Sequence, residues 1–150
     1  MYHANTMKTI FGSWQVWAGL SAAFAGATAL LAKAGVADIS SGYATLLRTL
    51  VVLPFLIVIV VLTGQYHSLS AISSRSLVYL GLSGLATGAS WLCYFHALKL
   101  GPVTRVSVID KSSLALVAVL GFALFGERLS WQGWVGVLLM MLGAMMTAIK

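Results

Sequence analysis

Long apolar runs separated by short polar stretches dominate this chain from Trp14 onward. A helix rises about 1.5 Å per residue, so about 20 apolar residues cross a hydrocarbon core about 30 Å thick. Five runs approach or exceed that length: Trp14–Ala32, Gly42–Leu62, Leu77–Leu98, Val103–Phe125 and Trp131–Ile149. The pattern therefore predicts five membrane-spanning helices, preceded by an N-terminal tail over residues 1–13.

The runs lack the alternation of apolar and polar residues that is typical of strands in a membrane barrel. Because backbone groups inside lipid must be hydrogen-bonded within the protein, helices are the remaining structure. Small residues recur at close-packing spacing, as with Ala22 and Gly26 in the first run and Gly84 and Gly88 in the third. We expect these residues to mediate helix contacts in an all-α, polytopic membrane protein.

Composition excludes several other classes of protein. The 150 residues are 60% hydrophobic and 8% charged, whereas about a quarter of the residues in globular domains are charged. The basic residues are scattered and form no patch for nucleic acid, so the lipid bilayer is the predicted partner. The chain contains no spacing typical of an enzyme, a metal site or a cofactor site, and Cys93 is its only cysteine.

The basic residues between the spans do not select one membrane orientation. Three fall on the N-terminal side and four on the opposite side: Lys8, Arg75 and Arg128 against Lys33, Lys99, Arg105 and Lys150. Orientation follows the bias of Lys and Arg between the two sets of loops, and a near tie removes that bias. Insertion in both orientations is therefore plausible, and an antiparallel homodimer is a natural hypothesis.

Three charged residues lie deep inside predicted spans, several residues from either end. Lys111 lies about 12 Å into the fourth helix with Asp110 beside it, and Arg48 lies about 9 Å into the second. A charge at the bilayer centre costs at least about 2.5 kcal/mol, which makes such residues functional candidates. Adjacent helical positions point about 100° apart, so we expect Asp110 to pair with Arg48. Lys111 would then line a polar cavity, carry a proton, bind an anionic group or serve only a structural role.

Two predicted helices carry a face on which hydroxyl groups accompany larger polar or aromatic side chains. These faces consist of Thr104, Ser107 and Lys111 in the fourth helix, and of Ser83, Thr87, Trp91 and Tyr94 in the third. Aromatic rings bury the apolar part of an organic ligand while hydroxyls orient it, so the two faces could form cavity walls. Ordinary packing also explains an aromatic stripe.

The C-terminal half contains a familiar set of motifs: Trp91-Leu-Cys-Tyr94, His96-Ala-Leu-Lys-Leu-Gly-Pro-Val103, Asp110-Lys111 and Gly126-Glu-Arg-Leu-Ser-Trp131. Together they resemble the EamA domain of the drug/metabolite transporter superfamily, in its short five-helix bacterial and archaeal branch. The likeness covers residues 14–150 as a single five-helix domain. Asp110, Lys111 and Glu127 match the motif, while Ser112 and Ser113 replace a more apolar continuation.

The resemblance implies half of an inverted-repeat transporter fold in a prokaryotic plasma membrane. We predict a secondary transporter of a small organic metabolite or drug, acting as a homodimer coupled to protons. The alternative is a non-transporting membrane subunit or scaffold whose buried charges fix packing and partner choice. An unpaired midplane lysine favours the transporter. The candidate substrate-binding residues are Lys111, Asp110, Ser107, Thr104, Arg48, Thr87, Trp91 and Tyr94.

Overall fold

The computed structural model describes residues 13–65 and 71–149, which form helices and connecting turns without any strand. The helices are α1 (Trp14–Gly35), α2 (Ser41–Thr63), α3 (Ser74–Leu100), α4 (Val103–Asp110), α5 (Ser113–Phe125) and α6 (Trp131–Ala148). With α4 and α5 counted as one span, five segments of this part of the chain can cross a membrane by length and composition. The predicted all-α class and number of spans are confirmed. Residues 1–12 of the predicted N-terminal tail, which include Lys8, and the terminal Lys150 lie outside the described residues.

Serine and glycine residues mark the ends of several helices. Ser40, Ser73 and Ser130 each accept a hydrogen bond on the side chain from the backbone N–H three residues later. Such bonds satisfy donors that a helix start leaves free. Gly64 and Gly126 end α2 and α5 with φ of 64° and 67°, a left-handed conformation that favours glycine because it lacks a Cβ.

The fourth span covers Val103–Phe125 as predicted, but its α-helical hydrogen bonding is interrupted at residues 111 and 112. Ser112 N–H donates to Ile109 O at 3.0 Å, and Leu114 N–H donates to Lys111 O at 3.0 Å. Both bonds span three residues instead of four, which tightens the turn. The Ser112 hydroxyl also donates to Ile109 O at 2.6 Å. Serine side chains compete in this way for helical backbone groups.

The first half of this broken span lies at the centre of the bundle. Helix α4 contacts α1, α3 and α6, while α2 packs against α3 and α5 packs against α6. A small buried cluster of Val36, Phe95 and Leu98 lies where α1 and α3 end. Most large apolar side chains elsewhere in the described residues are exposed on the outside of the bundle. Lipid is the natural solvent for that surface, because water would penalise so much exposed apolar area.

Two lysines join chain segments at the end of the bundle that holds this cluster. The Lys33 ammonium donates to the carbonyl oxygens of Leu98 and Gly101, at 2.9 Å from the latter. The Lys99 ammonium donates to Ile39 O at 2.8 Å. Two basic residues that the sequence places in loops therefore satisfy carbonyl groups where helices end. These bonds hold the end of α3 against α1 and against the connection between α1 and α2.

Replacing Lys33 by methionine should lower the unfolding temperature of the purified protein in detergent. Methionine keeps an apolar stem but leaves the Leu98 and Gly101 carbonyls without their charged donor, and such bonds contribute about 1.5–3 kcal/mol each. Lys99→Met is the matched control, since it removes one bond at an exposed site and should have a smaller effect. Equal unfolding temperatures for wild type and Lys33→Met would contradict this role.

Candidate functional site

A cavity of about 790 Å³ lies between α1 and α4, and Tyr94 of α3 and Met140 of α6 also line it. We call it the main cavity. Its volume falls within the range of about 300–1,000 Å³ that is typical of small-molecule sites. Small residues of α1 form one wall: Ala18, Ser21, Ala22, Ala25, Gly26 and Ala29. The opposite wall consists of Val103, Thr104, Ser107, Val108 and Asp110 of α4, followed by Lys111, Ser112 and Leu114.

The small residues of α1 form a cavity wall and not the close helix contact that their spacing suggested. A Cβ atom built on Gly26 would meet nothing within 4 Å, and the same holds for Gly84 and Gly88 in α3. These glycines therefore do not bring two helices of this chain into close approach. In α1, short side chains leave room that a larger residue would fill.

At the level of the helix break, the main cavity meets a polar recess of about 190 Å³. The recess is lined by Ala25, Thr28, Ala29, Arg48, Ser90, Trp91, Tyr94, Asp110 and Lys111. Five of these residues also line the main cavity: Ala25, Ala29, Tyr94, Asp110 and Lys111. A ligand in the apolar main cavity would therefore reach the three charged side chains of the recess.

The charged side chains of the recess pair differently from the expected arrangement. Lys111 Nζ lies 3.6 Å from Asp110 Oδ2, and no carboxylate of the described residues lies within 4.0 Å of the Arg48 guanidinium. The predicted pair between Arg48 and Asp110 is therefore wrong, as is the prediction that Lys111 lacks an acidic partner. Neighbouring helical positions point about 100° apart, but the long Lys111 side chain reaches back to the Asp110 carboxylate.

Arg48 rests on aromatic rings of α3. Its Cζ atom lies 4.2 Å from the centroid of the Trp91 ring and 5.8 Å from that of Phe95. A guanidinium over an aromatic ring is attracted by the electron density of the ring face, most strongly over tryptophan. These contacts attach α2 to α3 and place the positive charge at the edge of the recess.

The two polar faces predicted on the third and fourth helices meet through a hydrogen bond. The hydroxyl groups of Tyr94 and Ser107 lie 3.0 Å apart. Thr104 lines the main cavity on the same side of α4 as Ser107. Thr87 is not among the residues that line the main cavity or the recess, and its hydroxyl donates to the Ser83 carbonyl at 2.9 Å. The structure thus brings together seven of the eight candidate residues and leaves Thr87 apart.

Four hydroxyl residues at the site were not among the predicted site residues: Ser21, Thr28, Ser90 and Ser112. Ser21 and Thr28 are seven residues apart in α1 and therefore share one helical face, which was an available signal. Ser90 precedes Trp91 and gave no comparable signal. With these residues, the site combines an apolar chamber, several hydroxyls and a charged end that holds two cations and one carboxylate.

Known proteins are similar to this chain over most of its length. The sequence profile of the EamA-like transporter family matches residues 12–149. The chain is also 52% identical over 137 residues to a protein of Sinorhizobium sp. described as an uncharacterized transporter in the cobO 3′ region. That alignment covers 91% of this chain and 97% of the relative. No solved structure matches the chain significantly.

Proposed function

The chain belongs to the EamA-like transporter family, and on this premise we propose that it is a secondary transporter of a small organic metabolite or drug. The substrate would pass through the main cavity of an integral protein of the prokaryotic plasma membrane. The observation that carries this proposal is the cavity of about 790 Å³, which is lined by Asp110 and Lys111 and adjoins the recess that holds Arg48. The transporter name of the bacterial relative supports the same activity.

The break in the fourth span supports a binding site at the middle of the membrane. Lys111 follows α4, which has 8 residues, so it lies about 12 Å along the span, near the bilayer centre. Irregular backbone is tolerated at that depth only where it is buried in protein or lines a cavity. In secondary transporters, discontinuous helices form the substrate site near the midplane. The Asp110–Lys111 turn fits this arrangement.

We propose further that two copies form an antiparallel homodimer and that transport is coupled to protons. Five spans of one copy leave the main cavity partly open, and a second copy could complete a sealed pathway. The near tie of loop charges permits opposite insertion of the two copies. Lys111 is the group proposed to carry the proton, because a lysine can release its proton where an arginine cannot.

Filling the main cavity should block transport, which tests the function directly. Ala25 lines both the main cavity and the recess, and Ala25→Trp would occupy the space that a substrate needs. Because the indole would exclude substrate from the main cavity, flux should fall at least about tenfold, which corresponds to about 1.4 kcal/mol. Flux would be measured in liposomes across a panel of radiolabelled carboxylates, amines and sugars, on protein whose folding is verified by its unfolding temperature.

Ala27→Trp provides the matched control, because Ala27 is an exposed residue two positions further along α1 and is not among the residues that line the main cavity. It points about 200° away from Ala25 and should retain wild-type flux. Equal flux in the two variants would show that substrate does not pass through the main cavity. A wild-type protein that moves no compound of the panel would favour the alternative, a non-transporting subunit or scaffold.

A further inference from the structure

We infer that Arg48 binds the carboxylate of an organic anion, so that the ligand of the recess is a monoanion with an apolar body. The statement about binding depends only on the geometry of the site. The statement that this anion is the transported substrate rests on the proposed function.

The recess has one positive charge in excess. Asp110 is paired with Lys111 at 3.6 Å, so its charge is already balanced. Arg48 has neither an ion pair within 4.0 Å nor a hydrogen bond from its guanidinium to another described residue. An uncompensated charge inside the membrane is costly. An anionic group of a ligand would neutralise the excess charge, whereas a cationic ligand would increase it.

The ring contacts of Arg48 leave its hydrogen-bond donors available. The Arg48 Cζ atom lies 4.2 Å from the Trp91 ring centroid. The ring face offers no hydrogen-bond acceptor, so this contact uses none of the N–H donors of the guanidinium. A guanidinium has five N–H donors in a rigid planar fork that matches a carboxylate with two parallel bonds. Trp91 and Phe95 therefore hold the side chain in place while its donors remain for the ligand.

The main cavity would hold the apolar body of the ligand. Its α1 wall is formed mostly by alanine and glycine, and Val103 and Val108 contribute to the α4 wall. Such a lining binds apolar groups and offers few partners for a second charge. Because the main cavity and the recess share Tyr94, Asp110 and Lys111, a ligand whose apolar body occupies the main cavity can extend its carboxylate into the recess.

Isothermal titration calorimetry on the purified wild-type protein in detergent tests the inference without any substitution. Each carboxylate is compared with its amide and amine of similar shape: benzoate with benzamide and benzylamine, phenylacetate with phenylacetamide and phenethylamine, butyrate with butyramide and butylamine. Hydrogen bonds to charged groups predict at least about tenfold tighter binding of one or more carboxylates than of the matched compounds. If no carboxylate binds more tightly than its amide and its amine, the inference is overturned.

Arg48 variants then assign the preference to this residue. Arg48→Gln should bring the carboxylate-to-amide affinity ratio close to one, and Arg48→Lys should restore part of it because the charge returns without the planar fork. Arg75→Gln is the control: Arg75 lies 5.6 Å from the Tyr79 ring, near the start of α3, and lines neither the main cavity nor the recess. It should leave the ratio unchanged. A preference that persists in folded Arg48→Gln would overturn the assignment.

Liposome flux separates the inference from the proposed function. A carboxylate preference that requires Arg48, combined with no flux of any compound, would support the binding site and contradict the transporter. Flux of a neutral or cationic compound that Arg48→Gln leaves unchanged, without any carboxylate preference, would support the transporter and overturn the inference.

Discussion

Replacing Asp110 by asparagine is expected to destabilise the protein more than replacing Asp110 and Lys111 together. Asparagine keeps the shape of the side chain but removes the charge that lies 3.6 Å from Lys111 Nζ. The remaining ammonium would stand alone near the bilayer centre, where an unpaired charge costs at least about 2.5 kcal/mol. The Asp110→Asn/Lys111→Gln double variant removes both charges and should recover much of the loss.

The measurement is the free energy of unfolding of the four proteins in one detergent or bicelle system, which completes a double-mutant cycle. Asp38→Asn serves as the control, because Asp38 lies exposed between α1 and α2 and its replacement should change stability little. If the losses from Asp110→Asn and Lys111→Gln simply add in the double variant, the two side chains do not interact. That result would refute the pairing.

Replacing Lys111 by glutamine should reduce the flux of a transported compound about 100-fold, because it leaves Asp110 as an unpaired charge near the bilayer centre at a cost of about 2.5–3.5 kcal/mol. The proposed proton coupling predicts a second result, for the arginine variant. Lys111→Arg keeps the positive charge but does not release its proton, so it should fail as well. An imposed pH gradient should drive accumulation in liposomes that hold the wild type and should have no such effect with Lys111→Arg.

The control for this series is Lys99→Gln, which removes an exposed lysine that contacts Ile39 O and lies away from the main cavity. Its flux should match that of the wild type. Full flux in Lys111→Arg, without an effect of the pH gradient, would contradict proton carriage and leave Lys111 as a fixed charge. Equal flux in wild type, Lys111→Arg and Lys111→Gln would remove Lys111 from transport altogether and weaken the transporter proposal.

The sequence by itself determined the number and type of the spans. The run Gly42–Leu62, for example, corresponds to α2 over Ser41–Thr63, because a span depends on the length of an apolar run relative to a fixed membrane thickness. It also determined that Arg48, Asp110 and Lys111 are unusual, since a charge inside an apolar run is visible without knowledge of its neighbours. The break in the fourth span had a local signal in the four polar residues 110–113.

Only the tertiary structure decided how these residues meet. Lys111 turns its long side chain back to Asp110, Arg48 rests on Trp91 because α2 packs against α3, and Thr87 lies apart from the site. The small residues of α1 border a cavity because their short side chains leave space beside α4. Hydropathy depends on the composition of each segment, whereas these contacts depend on the rotation and separation of packed helices. One helix in isolation carries no information about those quantities.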